Sequence, residues 1–208
     1  RIFVVALLAA LTAAPIIATV GGGPGWGMIG NDATNSRTQP LEHRIGPDNV
    51  SQLALKWVAG TAGDVSATPA VVNGVVYFGD FGGMLWALDA ETGHEIWSRR
   101  VSDYTGIAGD IARTSPSVAG NTLVVGDLRA PNMLGINAQT GELRWMTQVH
   151  PDLHGIMTGS PVLAGDTIYT GVSASGASGP NATFRGAIVA LNAQTGELLW
   201  RSYSLPDN

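Results

Sequence analysis

The stretch LNAQTGELLW at Leu191–Trp200 repeats a phrase that the chain has already used twice. The earlier copies read INAQTGELRW at Ile136–Trp145 and LDAETGHEIW at Leu88–Trp97. In each copy the Asp or Asn side chain can accept a hydrogen bond from the backbone two residues on, and the glycine tolerates a positive φ. The phrase therefore predicts a tight hairpin followed by a strand that ends at tryptophan. We interpret it as structural rather than catalytic.

Each copy closes a longer unit that opens with Ser-Pro or Thr-Pro. Between these two landmarks lie apolar runs typical of short strands, separated by glycine-containing turns. The prolines Pro69, Pro116 and Pro161 are 47 and 45 residues apart, a period that matches a four-stranded propeller blade. We expect blade-like repeats at about residues 64–97, 113–145 and 158–200. Well-defined strands are expected at Val75–Phe78, Leu123–Val125 and Thr167–Thr170.

A tryptophan occupies the last predicted strand of every unit: Trp97, Trp145 and Trp200. We expect each ring to be buried between neighbouring blades while its indole N–H donates to a backbone carbonyl. Trp57 is expected to end another strand that lacks its own Thr-Gly turn. Because one blade cannot bury both of its faces, the units predict an all-β fold, a partial β-propeller of about three to four blades belonging to a larger ring.

Composition supports an all-β protein of short strands and tight turns. The 208 residues are 45% hydrophobic and only 13% charged, with 28 glycines and 11 prolines. The net charge is −5 and no basic cluster occurs, so a nucleic-acid partner is not expected. The sequence has no cysteine, which excludes disulfides, thiol catalysis and c-type haem attachment within it.

The first residues have the composition of an export signal. After Arg1, the run IFVVALLAALTAAPIIATV at Ile2–Val20 is almost wholly apolar, and small residues and glycines follow. We predict a signal peptide and linker over residues 1–23, the propeller over residues 24–208, and a periplasmic or secreted location. A retained membrane anchor is the alternative, since the run approaches the length that spans a bilayer.

The segment before the first repeat carries a second set of motifs. It reads WGMIGNDATNSRTQPLEHRIGPDNVSQLALKW at Trp26–Trp57. Its W-x3-G-x-D-x4-R-x2-P and I-x3-N-V-x2-L-x3-W patterns resemble the opening of the alcohol dehydrogenases that depend on pyrroloquinoline quinone (PQQ). With the repeats, and with phrases such as GDVSATPAVVNGVVYFGDFGG, the chain most resembles the polyvinyl-alcohol dehydrogenase-like members of that quinoprotein family.

The resemblance implies the N-terminal part of an eight-bladed quinoprotein that oxidises polyvinyl alcohol or another primary or secondary alcohol. PQQ would be the cofactor, Ca²⁺ would accompany it, and a cytochrome c or a dye would accept the electrons. In such enzymes the cofactor supplies the redox chemistry, and the protein binds and orients it. The catalytic residues of the family would fall beyond Asn208, so the sequence assigns none.

The resemblance also implies five cofactor-binding residues: Arg113, Thr158, Ser173, Ala174 and Ser175. Arg113 matches an arginine beside the quinone oxygens, where a permanent positive charge stabilises developing negative charge. Thr158 matches a threonine that hydrogen-bonds the cofactor, and the three small residues match a loop that holds a carboxylate. The alternatives are a surface arginine before a strand, an ordinary strand-start hydroxyl and a flexible Gly/Ser loop.

Three positions depart from the family pattern. Gly176 stands where the family has a calcium-ligating glutamate, which removes one of the hard oxygen ligands that Ca²⁺ needs. Ser66 stands where many members have a glutamate near the cofactor, and Ile107-Ala108 stand near the family's adjacent cysteines. The alternative function is therefore a non-catalytic propeller that acts as a periplasmic binding or scaffold module.

Two further groups of polar residues are candidates for a site. His150 and His154 are four residues apart, a spacing that can hold a metal on a helix, but the proline and glycine around them favour a loop. The other candidate is a polar cluster on one loop, formed by Asp103, Asp110 and Arg113. The alternative interpretation is that these three charged side chains are only solvated.

Overall fold

Antiparallel strands form nearly all the regular structure of the protein, whose computed structural model describes residues 25–174 and 184–205. Three sheets follow one another along the chain, and we call them blades 1, 2 and 3. Blade 1 contains β1 (Ala70–Val72), β2 (Val75–Gly79), β3 (Met84–Asp89) and β4 (Glu95–Arg100). Blade 2 contains β5 (Ser117–Ala119), β6 (Thr122–Gly126), β7 (Asn132–Asn137) and β8 (Leu143–Gln148). Blade 3 contains β10 (Val162–Ala164), β11 (Thr167–Ala174), β12 (Ala187–Asn192) and β13 (Leu198–Tyr203), and β9 (Gly155–Ile156) pairs with the end of β11.

Each blade is an antiparallel meander, because its four main strands pair in the order in which they occur along the chain. The three runs predicted as strands lie within β2, β6 and β11. The prediction of an all-β partial propeller is therefore confirmed. Helical structure in the described ranges comprises a 3-10 helix at Val50–Gln52 and α1 (Val101–Thr105), and no helix there is long and apolar enough to cross a membrane. The predicted signal peptide lies outside the described residues.

The repeated ten-residue phrase forms the turn between the third and fourth strands of each blade. In blade 1, Asp89 Oδ1 accepts hydrogen bonds from two backbone N–H groups at 3.0 and 2.8 Å, and Gly93 has a φ of 74°. Asn192 accepts the same two bonds in blade 3, and Asn137 accepts the first of them in blade 2. A β-bulge occurs at the same place in all three blades. The predicted hairpin is therefore confirmed, and each bulge sets the register of the strand that carries the tryptophan.

The tryptophan of one blade packs on the hairpin turn of the next. Trp97 is 4% exposed, and its indole N–H donates to the carbonyl of Ala138 in blade 2 at 2.9 Å. Its ring covers Gly141, where an added Cβ would lie 2.8 Å from Cε3 of the indole. Trp145 covers Gly196 of blade 3 in the same way, but its N–H has no hydrogen-bond partner in the described part of the chain.

Trp57 makes the same contact with blade 1 without belonging to a sheet. Its indole N–H donates to the carbonyl of Ala90 at 3.0 Å, and its ring covers Gly93. The prediction that Trp57 ends a strand is wrong for the described chain, because no neighbouring strand pairs with residues 53–60 there. Trp200, the last tryptophan of the series, is 45% exposed.

Two apolar layers join the three blades. Along β6 the side chains alternate between them, so that Leu123 and Val125 face blade 1 while Val124 faces blade 3. All three side chains are fully buried, and burial of each contributes about 1.5–3 kcal/mol to folding. Blade 2 is therefore packed on both faces, and this packing fixes the separation of the loops that carry the candidate site.

Candidate cofactor site

Equivalent residues of the three blades open the Ser/Thr-Pro segments, which we define as residues 66–69, 113–116 and 158–161. Ser66, Arg113 and Thr158 each stand three residues before the proline, and all three are exposed. Equivalent positions of a propeller lie at the same end of each blade. Two of the predicted cofactor-binding residues are therefore related by the repeat itself.

Hydrogen bonds between blades place the three segments side by side. The backbone N–H of Thr68 donates to Ser115 Oγ at 2.9 Å, and the N–H of Ser115 donates to Ser160 Oγ at 2.9 Å. The hydroxyl of Ser117 is buried and donates to the carbonyl of Pro161. The same type of bond thus recurs from blade to blade and fixes the spacing of the exposed residues beside it.

Glycines at the ends of the second strands allow this close approach. An added Cβ on Gly79 would lie 2.5 Å from the carbonyl oxygen of Ala112, directly before the predicted arginine. An added Cβ on Gly126 would lie 2.5 Å from Cβ of Met157, directly before the predicted threonine. Any larger residue at these two positions would push the next segment away, so both glycines position the candidate site.

Arg113 has a positively charged side chain that has no hydrogen-bond or ion-pair partner among the described residues. Its side chain is exposed, in the loop before β5, and makes no hydrogen bond or ion pair with residues 25–174 or 184–205. A guanidinium is always charged and offers several N–H donors in a fixed plane. This position suits binding of an anionic or quinone oxygen, as the resemblance implies, and the alternative of a surface arginine has the same geometry.

Thr158 and Ser173 form a pair of hydroxyl groups. Thr158 Oγ1 and Ser173 Oγ lie 3.0 Å apart, and both residues are exposed. The expected small-residue loop is wrong for two of its three members, because Ser173 and Ala174 are the last residues of β11 and pair with β9. Ser175, the third member, lies outside the described residues, as does Gly176. The structure therefore brings Thr158 and Ser173 together at a strand end.

Asp110 and Asp127 form a buried acidic pair, and the sequence analysis identified only Asp110. Asp127 is fully buried, and the predicted loop residue Asp110 is 1% exposed. Burial raises the pKa of Asp127 to about 6, and the neighbouring Asp110 carboxyl adds to the rise, because it can accept a hydrogen bond from protonated Asp127 and repels the ionised form. The signal in the sequence was the repeated Gly-Asp that ends the second strands, at Gly79-Asp80 and Gly126-Asp127.

The histidine pair does not form a metal site. Residues 151–154 form turns, as the loop interpretation predicts. His150 is buried, with Nε2 3.0 Å from the carbonyl oxygen of Arg185 and Nδ1 accepting the N–H of Asp152 at 3.1 Å. His154 is exposed beside the same aspartate. Across residues 25–174 and 184–205, no three His, Asp or Glu side chains are grouped closely enough to hold a metal ion.

The fold and the site together define a repeat propeller that presents a free cation and a hydroxyl pair on neighbouring blades. The family model PQQ_2, described as outer membrane protein assembly factor BamB, matches residues 21–207. The chain therefore belongs to this family of PQQ-repeat propellers.

Curated relatives include quinoprotein dehydrogenases. The quinohemoprotein alcohol dehydrogenase of Comamonas testosteroni is 30% identical over 190 residues, which cover 88% of this chain and 26% of that protein. The polyvinylalcohol dehydrogenase of a Pseudomonas species is 26% identical over 185 residues, which cover 86% of this chain and 29% of that protein. The chain thus spans less than a third of the length of these relatives.

A solved structure shows the same architecture. The quinohemoprotein alcohol dehydrogenase ADHIIG from Pseudomonas putida HK5 matches with a TM-score of 0.72 and 29% identity, over 89% of this chain and 27% of that one. The resemblance to quinoprotein alcohol dehydrogenases, including polyvinyl-alcohol dehydrogenases, is therefore confirmed.

Proposed function

We propose that the protein carrying this chain is a PQQ-dependent dehydrogenase that oxidises an alcohol and passes the electrons to a cytochrome c or a dye. Polyvinyl alcohol and other primary or secondary alcohols are the proposed substrates. The observation that carries the proposal is the placement of Arg113 and Thr158 at equivalent positions of adjoining blades, with the Arg113 side chain free of described partners. The apolar run Ile2–Val20 supports a periplasmic or secreted location.

The donor set fits an anionic quinone. PQQ, when bound, supplies the two-electron oxidant for the alcohol. The Arg113 guanidinium offers charge-assisted N–H donors to quinone or carboxylate oxygens. The Thr158 and Ser173 hydroxyls each keep donor or acceptor capacity beyond their shared hydrogen bond, so they can bind a second polar edge of the same ligand. The glycine contacts described above hold these groups at a fixed separation.

Calcium has weaker support than PQQ. Ca²⁺ takes six to eight oxygen ligands, several of them carboxylates. Among the described residues, no three His, Asp or Glu side chains lie close enough together to bind a metal ion. Gly176 also replaces the glutamate that the family would supply. The roles proposed for Arg113, Thr158 and Ser173 therefore do not depend on a metal.

Alcohol-dependent dye reduction by the full-length protein tests the proposal. We expect reduction only after loading with PQQ, and a loss of about 10-fold or more in kcat/KM for Thr158→Val, which keeps the shape but removes the hydroxyl. Thr38→Val, at an exposed threonine in the N-terminal segment, serves as the matched control and should retain activity. Dye reduction that is absent with PQQ, or equal in the two variants, would contradict the proposal.

A non-catalytic binding or scaffold propeller is the second candidate. Two observations favour it: the description of the matching family, and Gly176 in place of the expected calcium ligand. This candidate predicts a correctly folded full-length protein that binds no PQQ at any calcium concentration.

A further inference from the structure

His150 joins the turn before β9 to the segment that leads into β12. It is 3% exposed, and both of its ring nitrogens have backbone partners. Nδ1 lies 3.1 Å from the backbone nitrogen of Asp152, and Nε2 lies 3.0 Å from the carbonyl oxygen of Arg185. Because a backbone N–H only donates and a carbonyl only accepts, the imidazole is neutral and carries its single proton on Nε2.

Two aromatic rings hold the imidazole in this orientation. The ring centroid of Phe184 lies 4.8 Å from that of His150, and the Tyr203 ring meets the imidazole edge-on at 5.6 Å. Rotation of the imidazole toward other partners would break both contacts. His150 therefore fixes the turn at residues 151–154 relative to the start of β12 and the end of β13.

The strand β9 connects this turn to the hydroxyl pair of the candidate site. Residues 151–154 lead directly into β9, in which Ile156 pairs with Ser173 of β11. Thr158 follows two residues later, and its Oγ1 lies 3.0 Å from Ser173 Oγ. The position of β9 thus determines whether the two hydroxyl groups meet.

The charged groups around the imidazole do not offer an acceptor for a second proton. From the turn, the carboxylate of Asp152 contacts His154 Nδ1 at 2.8 Å. From the start of β12 and from β13, the guanidinium groups of Arg185 and Arg201 lie 4.3 and 5.9 Å from the centroid of the Tyr203 ring. A proton added to Nδ1 would face a backbone N–H, in a region that already holds two positive charges.

We propose that His150 is a positioning residue of the cofactor site, and that its neutral imidazole holds β9 where Thr158 and Ser173 bind the quinone together. This inference rests on the proposed function. A second proton on Nδ1 removes the acceptor of the Asp152 N–H and sets two donors against each other. The turn then loses its anchor, β9 shifts, and the hydroxyl pair separates.

Two substitutions separate the hydrogen bond from the packing of the ring. In His150→Asn the side-chain oxygen can still accept the N–H two residues on, as Asn137 and Asn192 do in the hairpin turns. His150→Leu keeps an apolar side chain between Phe184 and Tyr203 but supplies no acceptor. In the full-length protein at pH 7.5 we expect PQQ affinity close to the wild type for His150→Asn, and about 5-fold or more lower for His150→Leu. Equal affinities of the wild type and His150→Leu would overturn the proposal.

The proposal also predicts a pH dependence of PQQ binding. A histidine takes up its second proton in the mildly acidic range. We expect the affinity of the wild type for PQQ to fall about 5-fold or more from pH 7.5 to pH 5, and that of His150→Asn to stay nearly constant. His94→Asn, at an exposed histidine in the hairpin turn of blade 1, should behave like the wild type. The same pH dependence in the wild type and in His150→Asn would contradict the role of His150.

Measurements on the full-length protein without cofactor separate this proposal from the proposed function. Long-range ¹H–¹⁵N spectra at pH 7.5 should show Nε2 of His150 protonated and Nδ1 unprotonated. Hydrogen–deuterium exchange should show protection of the Asp152 N–H and of β9 that is lost in His150→Leu and kept in His150→Asn. A proton on Nδ1 at pH 7.5, or unchanged protection in His150→Leu, would overturn the positioning residue whatever PQQ does. Protection that responds as predicted, with no PQQ binding by the wild type, would support the positioning of β9 and contradict the proposed function.

Discussion

Gly141 shows how a single residue serves both its own blade and the next. Its φ of 73° lies in the left-handed region, and an added Cβ would lie 2.8 Å from the Trp97 ring. We expect Gly141→Ala to lower the free energy of unfolding by about 2–4 kcal/mol, because both the backbone and the interblade packing are strained. Urea denaturation monitored by tryptophan fluorescence measures the loss.

Gly74 provides the matched control for this substitution. It has a φ of 77°, but nothing lies within 4 Å of an added Cβ. Gly74→Ala should therefore cost only the backbone strain, about 1 kcal/mol. Equal losses for the two variants would show that contact of the tryptophan with the turn contributes little.

The buried carboxyl pair predicts a stability change that can be measured without any ligand. Burial raises the folded-state pKa of Asp127 from 3.8 to about 6, so stability from the proton on Asp127 is full below about pH 4 and is lost as the pH rises through about 6. Asp110→Asn keeps the burial of Asp127 and removes only the contribution of Asp110, so relative to this variant the wild type should lose about 1 kcal/mol between pH 4 and pH 7. Denaturant titrations at each pH measure the difference. A constant difference would mean that Asp110 does not contribute to the raised pKa of Asp127.

At the level of residues, the sequence predicts the positions that belong to the repeat or to a family motif. Arg113 and Thr158 are exposed beside the repeated prolines, where matching motifs place them. Asp127 was missed because its neighbour Asp110 belongs to a different loop, so the repeated Gly-Asp that contains Asp127 does not by itself indicate a pair. Only the fold brings the two carboxyl groups together.

Among the elements, the Ser/Thr-Pro segments join the blades through serine hydroxyl groups. Ser115 is 4% exposed, and its Oγ accepts the backbone N–H of Thr68 from blade 1. Ser115→Ala leaves that N–H without its partner, so we expect a loss of about 1–3 kcal/mol in unfolding free energy and faster hydrogen exchange at Thr68. Ser51→Ala, at an exposed position in the 3-10 helix, should change neither quantity. Unchanged exchange at Thr68 in Ser115→Ala would contradict this assignment.

The end of β11 marks the limit of element prediction from this sequence. The run TGVSASG reads as a glycine- and serine-rich loop, yet Ser173 and Ala174 pair with Gly155–Ile156. A partner strand of two residues is too short to produce any period in the sequence. The pairing depends on the position of β9, which lies between two hydrogen bonds to blade 2, from Val149 to the carbonyl of Pro131 and from Met157 to the carbonyl of Asp127.

For the whole molecule, blade 3 presents an apolar outer face. Tyr169, Ile188 and Trp200 share that face by strand register, and they are 38%, 56% and 45% exposed. Contiguous exposed apolar side chains favour association. We expect the chain over residues 25–208 to self-associate as its concentration rises, and Ile188→Lys to reduce this in analytical ultracentrifugation. Leu41→Lys, at an isolated exposed leucine, should leave the association unchanged.

The overall architecture was predictable because the sequence repeats it. The period of the Ser/Thr-Pro segments gives the length of a blade, and the tryptophan phrase gives its last hairpin. The environment of Trp57 was not predictable, because its ring contact repeats that of Trp97 while its backbone lacks a paired strand. Side-chain contacts of the repeat thus persist where strand pairing does not.

Titration calorimetry of the full-length protein with PQQ, with and without Ca²⁺, tests whether Arg113 belongs to a quinone site. We expect stoichiometric binding by the wild type and by Arg44→Ala, a variant at an exposed arginine in the N-terminal segment. We expect Arg113→Ala to bind PQQ about 10-fold or more weakly, because a charge-assisted contact is lost. Absence of binding at high PQQ and calcium concentrations, or equal affinities for the two variants, would contradict a quinone site at Arg113.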